Sequence, residues 1–375
     1  MDIDVVHDRV EIGILAEGAV ELFRDYALYR DQKDAERTPN CQLNTGSFLP
    51  QYEVLENAAD LQAGDFYWTH SEVDVRKDLN DVLVNFSEAR RKALIFVLQL
   101  FTRYEVVVGQ DYWTGRFRRM FPRIEFQNWG IVAGFTESQV HTKFYRKLNQ
   151  LMNLESDEFY ESYVNDPILA GRMQHIAALV TDKEDLVSLG AFSMLEGAIL
   201  FSAFAFFKSH RQPGINMIPN AVAGINFSAR EEELHSDVGA YCYRVLRDER
   251  RLRPSRLREI EAKLKRVASL LFEHECAIID RIASFGEIRG WDSQEHKNFV
   301  KSRLATVLEH LEIDNSDWVV AKEDNPVAEW FYDSIKAYSY QDFFYVQGRE
   351  YVRTWPLEGF IWRNPNVEST TGVSS

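Results

Sequence analysis

The stretch Ala191–Phe207 (AFSMLEGAILFSAFAFF) constrains this chain more than any other. It is the most apolar run in the sequence, and Glu196 sits inside it. It is short for a membrane span, where a carboxylate would be costly unless it had a task. In a protein core an unpaired buried carboxylate is also costly, so it needs a partner or a metal ion. The run predicts a buried helix built around one deliberately placed charge.

The remaining text is mostly helical in pattern. A helix is expected around Ile12 to Arg37, then a Pro- and Asn-containing loop from Thr38 to Gln51. Asp81 to Val108 has apolar residues at three- and four-residue spacing and no Pro or Gly, which predicts one helix. Pro122 breaks the chain before a second, Glu125 to Leu151. Thr181-Asp182-Lys183-Glu184 reads as a capping box that opens a helix running to about Ser209. Further helices are expected from Ala221 to Leu246, from Pro254 onward and from Ser293 to Leu311. Few segments alternate with period two and no internal repeat is visible, so the fold class is all-α. After about Tyr351 the chain is polar and weakly patterned, which predicts a flexible tail. The expected divisions are an extension over 1–60, a helical domain over 61–345 and a tail over 346–375.

Composition excludes several functions. The 375 residues are 45% hydrophobic and carry a net charge of −15, with a pI near 5.2. An acidic chain without a basic block is a poor ligand for nucleic acid or acidic lipid. Cys41, Cys242 and Cys276 form no CxxC pair and read as free thiols of a reducing compartment. The opening MDIDVVHDRVEIGIL has the acidic residues and broken apolar pattern that a signal sequence lacks. The expectation is a cytoplasmic protein that enters no membrane.

Four expected helices carry a carboxylate or histidine among apolar neighbours. These are Glu105 in LQLFTRYEVVVG, Glu137 and His141 in GFTESQVHTKFY, Glu196 in FSMLEGAILF, and Glu232 and His235 in SAREEELHSD. Residues three or four apart share a helix face, so each Glu–His pair can point one way. A single ExxH is more often an ordinary pair, and Glu231, Glu233 and Asp237 could simply be a solvated face. Two lone Glu and two Glu–His pairs on four helices are, however, the ligand set of a di-metal carboxylate site in a bundle. Oxygen and imidazole donors suit iron or manganese. Glu273-His274-Glu275 has similar residue types, but adjacent residues diverge, which predicts a surface position. Tyr145 lies four residues after His141 on the same face. Alone it reads as a core aromatic; beside a dioxygen-activating metal pair its phenol could be oxidised.

With these residues in view, the chain resembles the small subunit of class I ribonucleotide reductase, from about Phe66 to Trp362. The resemblance is carried by FYWTHSEVDVRKD, HTKFY, NLESDEFYESYVNDP, LEGAILFSAFAFFKSH, GINFSAREEELHSDVGA and NPVAEWFYDSIKAYSYQDFFYVQGREYVRTW. It implies a ferritin-like helical bundle that holds two metal ions per chain: two irons, two manganeses or one of each. It implies a tyrosyl radical passed to a separate large subunit for ribonucleotide reduction, and pairing as a homodimer. By resemblance, Glu105 fills the first ligand position, where many members have Asp. His141, Glu196, Glu232 and His235 match further ligands, and Tyr145 matches the radical tyrosine. Trp68 matches the relay tryptophan, and Glu231 sits where many members have the Asp that joins it to the histidine ligand. Tyr351 is the expected aromatic of the tail. Phe201 and Phe204 are expected to shield the radical.

The chain departs from the family at one place. Well-known members have Glu three residues before the histidine ligand; here that position is Ser138, and Glu137 is four before. A one-residue helical bulge would let Glu137 bind. Otherwise Ser138 faces the metals and the site is depleted. A competing reading is another ferritin-like di-iron oxidase or hydroxylase, which would need a substrate pocket but not Trp68, Tyr145 and an aromatic tail together. A storage bundle would use neither the extension nor the tail.

Overall fold

The computed structural model describes residues 3–26, 38–44 and 49–332, and every regular element among them is helical. α1 is Ile3–Ala16 and α2 is Glu53–Ala63. α3 opens as Glu88–Val107, widens over Val108–Phe117 and closes with Arg118–Met120. α4 is Ile124–Phe135, widened over Thr136–His141 and continued as Thr142–Leu151. α5 is Asp157–Asn165 and α6 is Pro167–Val180. α7 runs Asp185–Met194, widens over Leu195–Ile199 and continues as Leu200–Ser209. α8 is Pro219–Arg250, α9 is Pro254–Ala283 and α10 is Ser293–His310. The widened stretches of α3, α4 and α7 are π-helical turns, which bond i to i+5 and often mark functional sites.

Local chemistry sets several boundaries. Ser87 caps α3 by accepting from the Arg90 N–H at 3.3 Å. That cap, after the extended Phe86, divides the single helix expected from Asp81 to Val108. Thr181 does not open α7. Its hydroxyl bonds back to the Ala177 carbonyl at 2.8 Å and ends α6, while Glu184 caps α7. Asp166 accepts from the Ile168 N–H at 2.8 Å, and Pro167 stands at the first position of α6, where its missing N–H costs nothing. The single helix expected from Ile12 to Arg37 begins at Ile3 and ends at Ala16, where a turn at Glu17 and Gly18 (φ +71°) separates it from a second helical stretch over 20–26; residues 27–37 lie outside the described residues.

The core is organised around α7. Every residue from Leu186 to His210 is buried. Asp185–Ser209 is long and apolar enough to cross a membrane by composition, yet the bundle buries all of it from Leu186 onward. An all-round apolar helix in a globular protein belongs at such a centre. α7 packs on α8, and α3 packs on α4; α9 and α10 cover the outer side of α7, and α2 lies on α4. These helices belong to one compact unit, Met1–Phe331. The boundary expected at residue 345 and the tail over 346–375 lie outside the described residues.

One surface expectation is overturned. Glu275 on α9 is 1% exposed, and its carboxylate takes a hydrogen bond from the buried Arg172 of α6. A partner far away in sequence makes this position habitable for a charge.

Candidate di-metal centre

The six expected ligands converge. Glu105, Glu137, His141, Glu196, Glu232 and His235 are each at most 1% exposed. Their donor atoms form two groups, Glu105–Glu137–His141–Glu232 and Glu137–Glu196–Glu232–His235, each lying within 4.8 Å. Glu137 and Glu232 belong to both. Glu105 and His141 mark one end, and Glu196 and His235 the other. His141 turns Nδ1 inward, 2.9 Å from Glu137 Oε2 and 3.0 Å from Glu232 Oε1. His235 Nδ1 lies 2.8 Å from Glu137 Oε1 and 3.1 Å from Glu232 Oε2.

The backbone explains how Glu137 reaches the centre. The π-turn over Thr136–His141 carries the Glu137–His141 pair, so a spacing of four serves where an α-helix would favour three. Ser138 faces another way. A Cβ on Gly109 of α3 would sit 2.6 Å from the Ser138 hydroxyl and 2.9 Å from the Glu137 Cβ. Glycine at 109 therefore lets α3 close onto α4 where both helices widen. Gly197 does the same beside Glu196: a Cβ there would meet the Ser236 hydroxyl at 2.1 Å and Val307 at 2.7 Å. Bulk at either glycine would push apart the helices that carry the ligands.

The electrostatics fit cations. Four carboxylates share a buried pocket with two imidazoles. Neither oxygen of Glu105 or of Glu196 has a well-formed hydrogen bond, which is rare for buried polar atoms. Burial, then neighbouring Glu137, pushes the Glu105 carboxyl well above its ordinary pKa. Burial, then Glu232, does the same to Glu196. Burial alone would lower His141, but Glu137, Glu231 and Glu232 outweigh it and raise it well above the usual value. Two divalent ions would neutralise four carboxylates, and oxygen and nitrogen donors suit iron or manganese.

Two redox-capable side chains flank the cluster. Trp68 is 3% exposed, and its Nε1–H donates to Glu231 Oε2 at 2.8 Å. The same oxygen lies 2.7 Å from His141 Nε2. Gln62 of α2, which no sequence signal marks, donates to Glu231 Oε1 at 2.8 Å and to the Thr136 hydroxyl at 3.2 Å. The loop carrying Trp68 is tied to α8 by Asp78, which accepts from the Ala221 N–H at 2.6 Å. Tyr145 is 2% exposed, and its hydroxyl makes no well-formed hydrogen bond, with the Ser228 side chain beside it. Burial, reinforced by Glu105, raises its pKa well above the ordinary phenol value. Its ring stacks on Phe101, with centroids 4.0 Å apart and planes 7° apart. Phe101 is thus the immediate neighbour. Phe204 lies behind it at 6.2 Å, and Phe201 packs on Phe204 at 5.7 Å. Tyr351 lies outside the described residues.

Comparison with known proteins agrees with this geometry. The family model "Ribonucleotide reductase, small chain" matches residues 50–316. A probable ribonucleoside-diphosphate reductase small subunit, 048L, of Invertebrate iridescent virus 3 is 23% identical over 352 residues, covering 83% of this chain and 90% of that protein. The dimanganese(II)-NrdF of Streptococcus sanguinis superposes with a TM-score of 0.66 at 18% identity, covering 77% of this chain and 98% of that one. A ribonucleotide reductase R2 subunit from Clostridium botulinum gives 0.65 at 18% identity, covering 76% and 88%. The structural likenesses establish the ferritin-like helical fold, and the family match covers well over half the sequence. The chain belongs to the ribonucleotide reductase small-chain family, oxidoreductases that act together with a large subunit.

Proposed function

We propose that this chain generates and stores the radical for ribonucleotide reduction. Glu105, Glu137, His141, Glu196, Glu232 and His235 would hold two metal ions, iron or manganese. When bound, the pair supplies reaction with dioxygen and the one-electron oxidation of Tyr145. The observation that carries this reading is the overlap of two donor groups at Glu137 and Glu232, with Tyr145 on one flank and Trp68 wired to His141 through Glu231.

The chain's own residues have distinct tasks. Phe101 covers one face of the Tyr145 ring, and Phe204 and Phe201 stand behind it, so on that side water and reductants would be kept from the phenol. Glu231 Oε2 accepts from Trp68 Nε1 and faces His141 Nε2, so one carboxylate oxygen fixes both rings and can take the indole proton. The oxidising equivalent would leave through His141, Glu231 and Trp68, continue by way of Tyr351 and reach the large catalytic subunit. The protein would work as a homodimer in the cytoplasm.

Trp68→Phe and Glu231→Gln test the route. Both variants should still form the Tyr145 radical after metal loading and oxygen exposure. Deoxyribonucleotide formation on mixing with the large subunit should fall to background. Undiminished turnover in Trp68→Phe would show that the radical leaves another way.

A further inference from the structure

The widened turn of α7, Leu195–Ile199, carries Glu196. The Leu200 N–H that closes it bonds to the Leu195 carbonyl, five residues back rather than four. Such turns are rare and mark functional sites, and here two other helices grip the turn. Ser236 of α8, next to His235, donates to the Ser193 carbonyl at 3.0 Å, just before the turn. From α10 comes Arg303, whose side chain is only 3% exposed. Its Nε–H donates to the Gly197 carbonyl at 2.7 Å, inside the turn and one residue after Glu196. Its guanidinium lies over the Phe201 ring, 3.9 Å from the centroid, where α7 is regular again. Its Nη2 donates to Glu233 Oε2 of α8 at 2.5 Å, one residue after Glu232. One planar, permanently charged group thus joins the neighbours of two expected ligands on two helices. A guanidinium has no lone pair to offer a metal, so any effect on the centre must pass through those neighbours.

We propose that Arg303 is the positioning residue of the Glu196–His235 end of the centre. The inference rests on the reading above, that the six residues hold two metal ions. Successive residues of a helix diverge by about 100°, so Glu233 can face α10 while Glu232 faces the metals. Fixing Glu233 sets the rotation of α8, and fixing the Gly197 carbonyl sets the register of the widened turn. The directions of Glu232 and Glu196 follow from these two. Neither oxygen of Glu196 has a well-formed hydrogen bond, so the backbone that carries it largely sets where it points. Glu105 and His141 stand on α3 and α4, outside this clasp. Arg303 should therefore matter to one end of the centre and not to the other.

The test is an oxygen-free titration of the full chain with Mn(II), the free ion being counted by its electron paramagnetic resonance signal. Two backgrounds separate the ends. Glu105→Ala keeps the ion at the Glu196–His235 end, and Glu196→Ala keeps the ion at the other. Removing a group that orients metal ligands costs about 10–100-fold in affinity. Arg303→Met should weaken the ion of the Glu105→Ala protein by that factor and leave the ion of Glu196→Ala unchanged. A loosened fold would weaken both ends alike, so the contrast separates positioning from stability. Arg303→Lys keeps the charge but not the fork, and it should recover part of the loss. If Arg303→Met does not fold, the lysine variant decides alone: weakening confined to the Glu105→Ala background supports the proposal, and unchanged affinity there overturns it. Equal weakening in both backgrounds, or none in either, would overturn the proposal while the native chain still binds two ions. A native chain that binds no Mn(II) would overturn the underlying reading, and this inference with it.

Discussion

Glu232→Ala should bind neither metal ion, whereas Glu105→Ala should retain one. Glu232 belongs to both donor groups, and Glu105 to one. Removing the shared carboxylate deprives each end of a ligand and leaves His141 and His235 without a neighbour at 3.0 and 3.1 Å. Removing Glu105 thins only the end it shares with His141. Stability should follow occupancy. A ligand present at a hundred times its dissociation constant stabilises the folded state by about 2.7 kcal/mol. The rise in melting temperature on adding metal should therefore disappear in Glu232→Ala and persist in reduced form in Glu105→Ala. Elemental analysis and thermal unfolding, each with and without metal, measure both effects. Equal loss in the two variants would mean that the groups do not act as separate ends joined by shared carboxylates.

Arg172→Ala should be the most destabilising of the simple charge deletions, at about 3–5 kcal/mol, the usual cost of orphaning one partner of a buried ion pair. The side chains of Arg172 and Glu275 are only 5% and 2% exposed. Burial already raises the Glu275 carboxyl, and Arg172 is the charge that opposes the rise. Without Arg172 the folded-state pKa of Glu275 climbs further above its unfolded value. A carboxyl with a raised folded pKa binds its proton more tightly in the folded state, so stability returns as pH falls. The deficit of Arg172→Ala should thus shrink between neutral and mildly acidic pH. A double change to Arg172→Met and Glu275→Leu should recover most of the loss, because buried pairs are often replaceable by apolar groups of similar volume. Urea unfolding at the two pH values gives the comparison. A deficit independent of pH would assign the loss to packing alone.

Much of the centre was legible in the sequence because it is written in residue types that a core rarely tolerates. Glu196 inside AFSMLEGAILFSAFAFF cannot be explained by propensity, and the Glu137–His141 and Glu232–His235 spacings each place two donors on one face. The family resemblance then selected Trp68, Glu231 and Tyr145 from many aromatic and acidic residues. What stayed hidden depends on helices meeting in space. The π-turn over Thr136–His141 lies where Gly109, on another helix, allows a close approach. Phe101 stacks on Tyr145 only because α3 lies on α4. Glu275 looked like a surface residue because its partner, Arg172, is 103 positions away. Arg303 belongs to no motif, and only the fold brings it to Gly197 and Glu233. Helix ends were displaced where a single side chain decided the matter, as Ser87 and Thr181 did.

On the proposed function, Glu105, Glu137, His141, Glu196, Glu232 and His235 hold a metal pair that oxidises Tyr145. It is tested most directly by electron paramagnetic resonance of the metal-loaded, oxygen-exposed chain beside Tyr145→Phe, with metal content measured on the same samples. The Tyr145→Phe change removes a hydroxyl that makes no well-formed hydrogen bond and ligates no metal in this reading, so folding and metal content should be unchanged. The expected result is two metals per chain in both proteins and a stable tyrosyl signal in the native protein that is absent from the variant. A stable tyrosyl signal of equal strength in both proteins, or a chain that binds no metal, would contradict it.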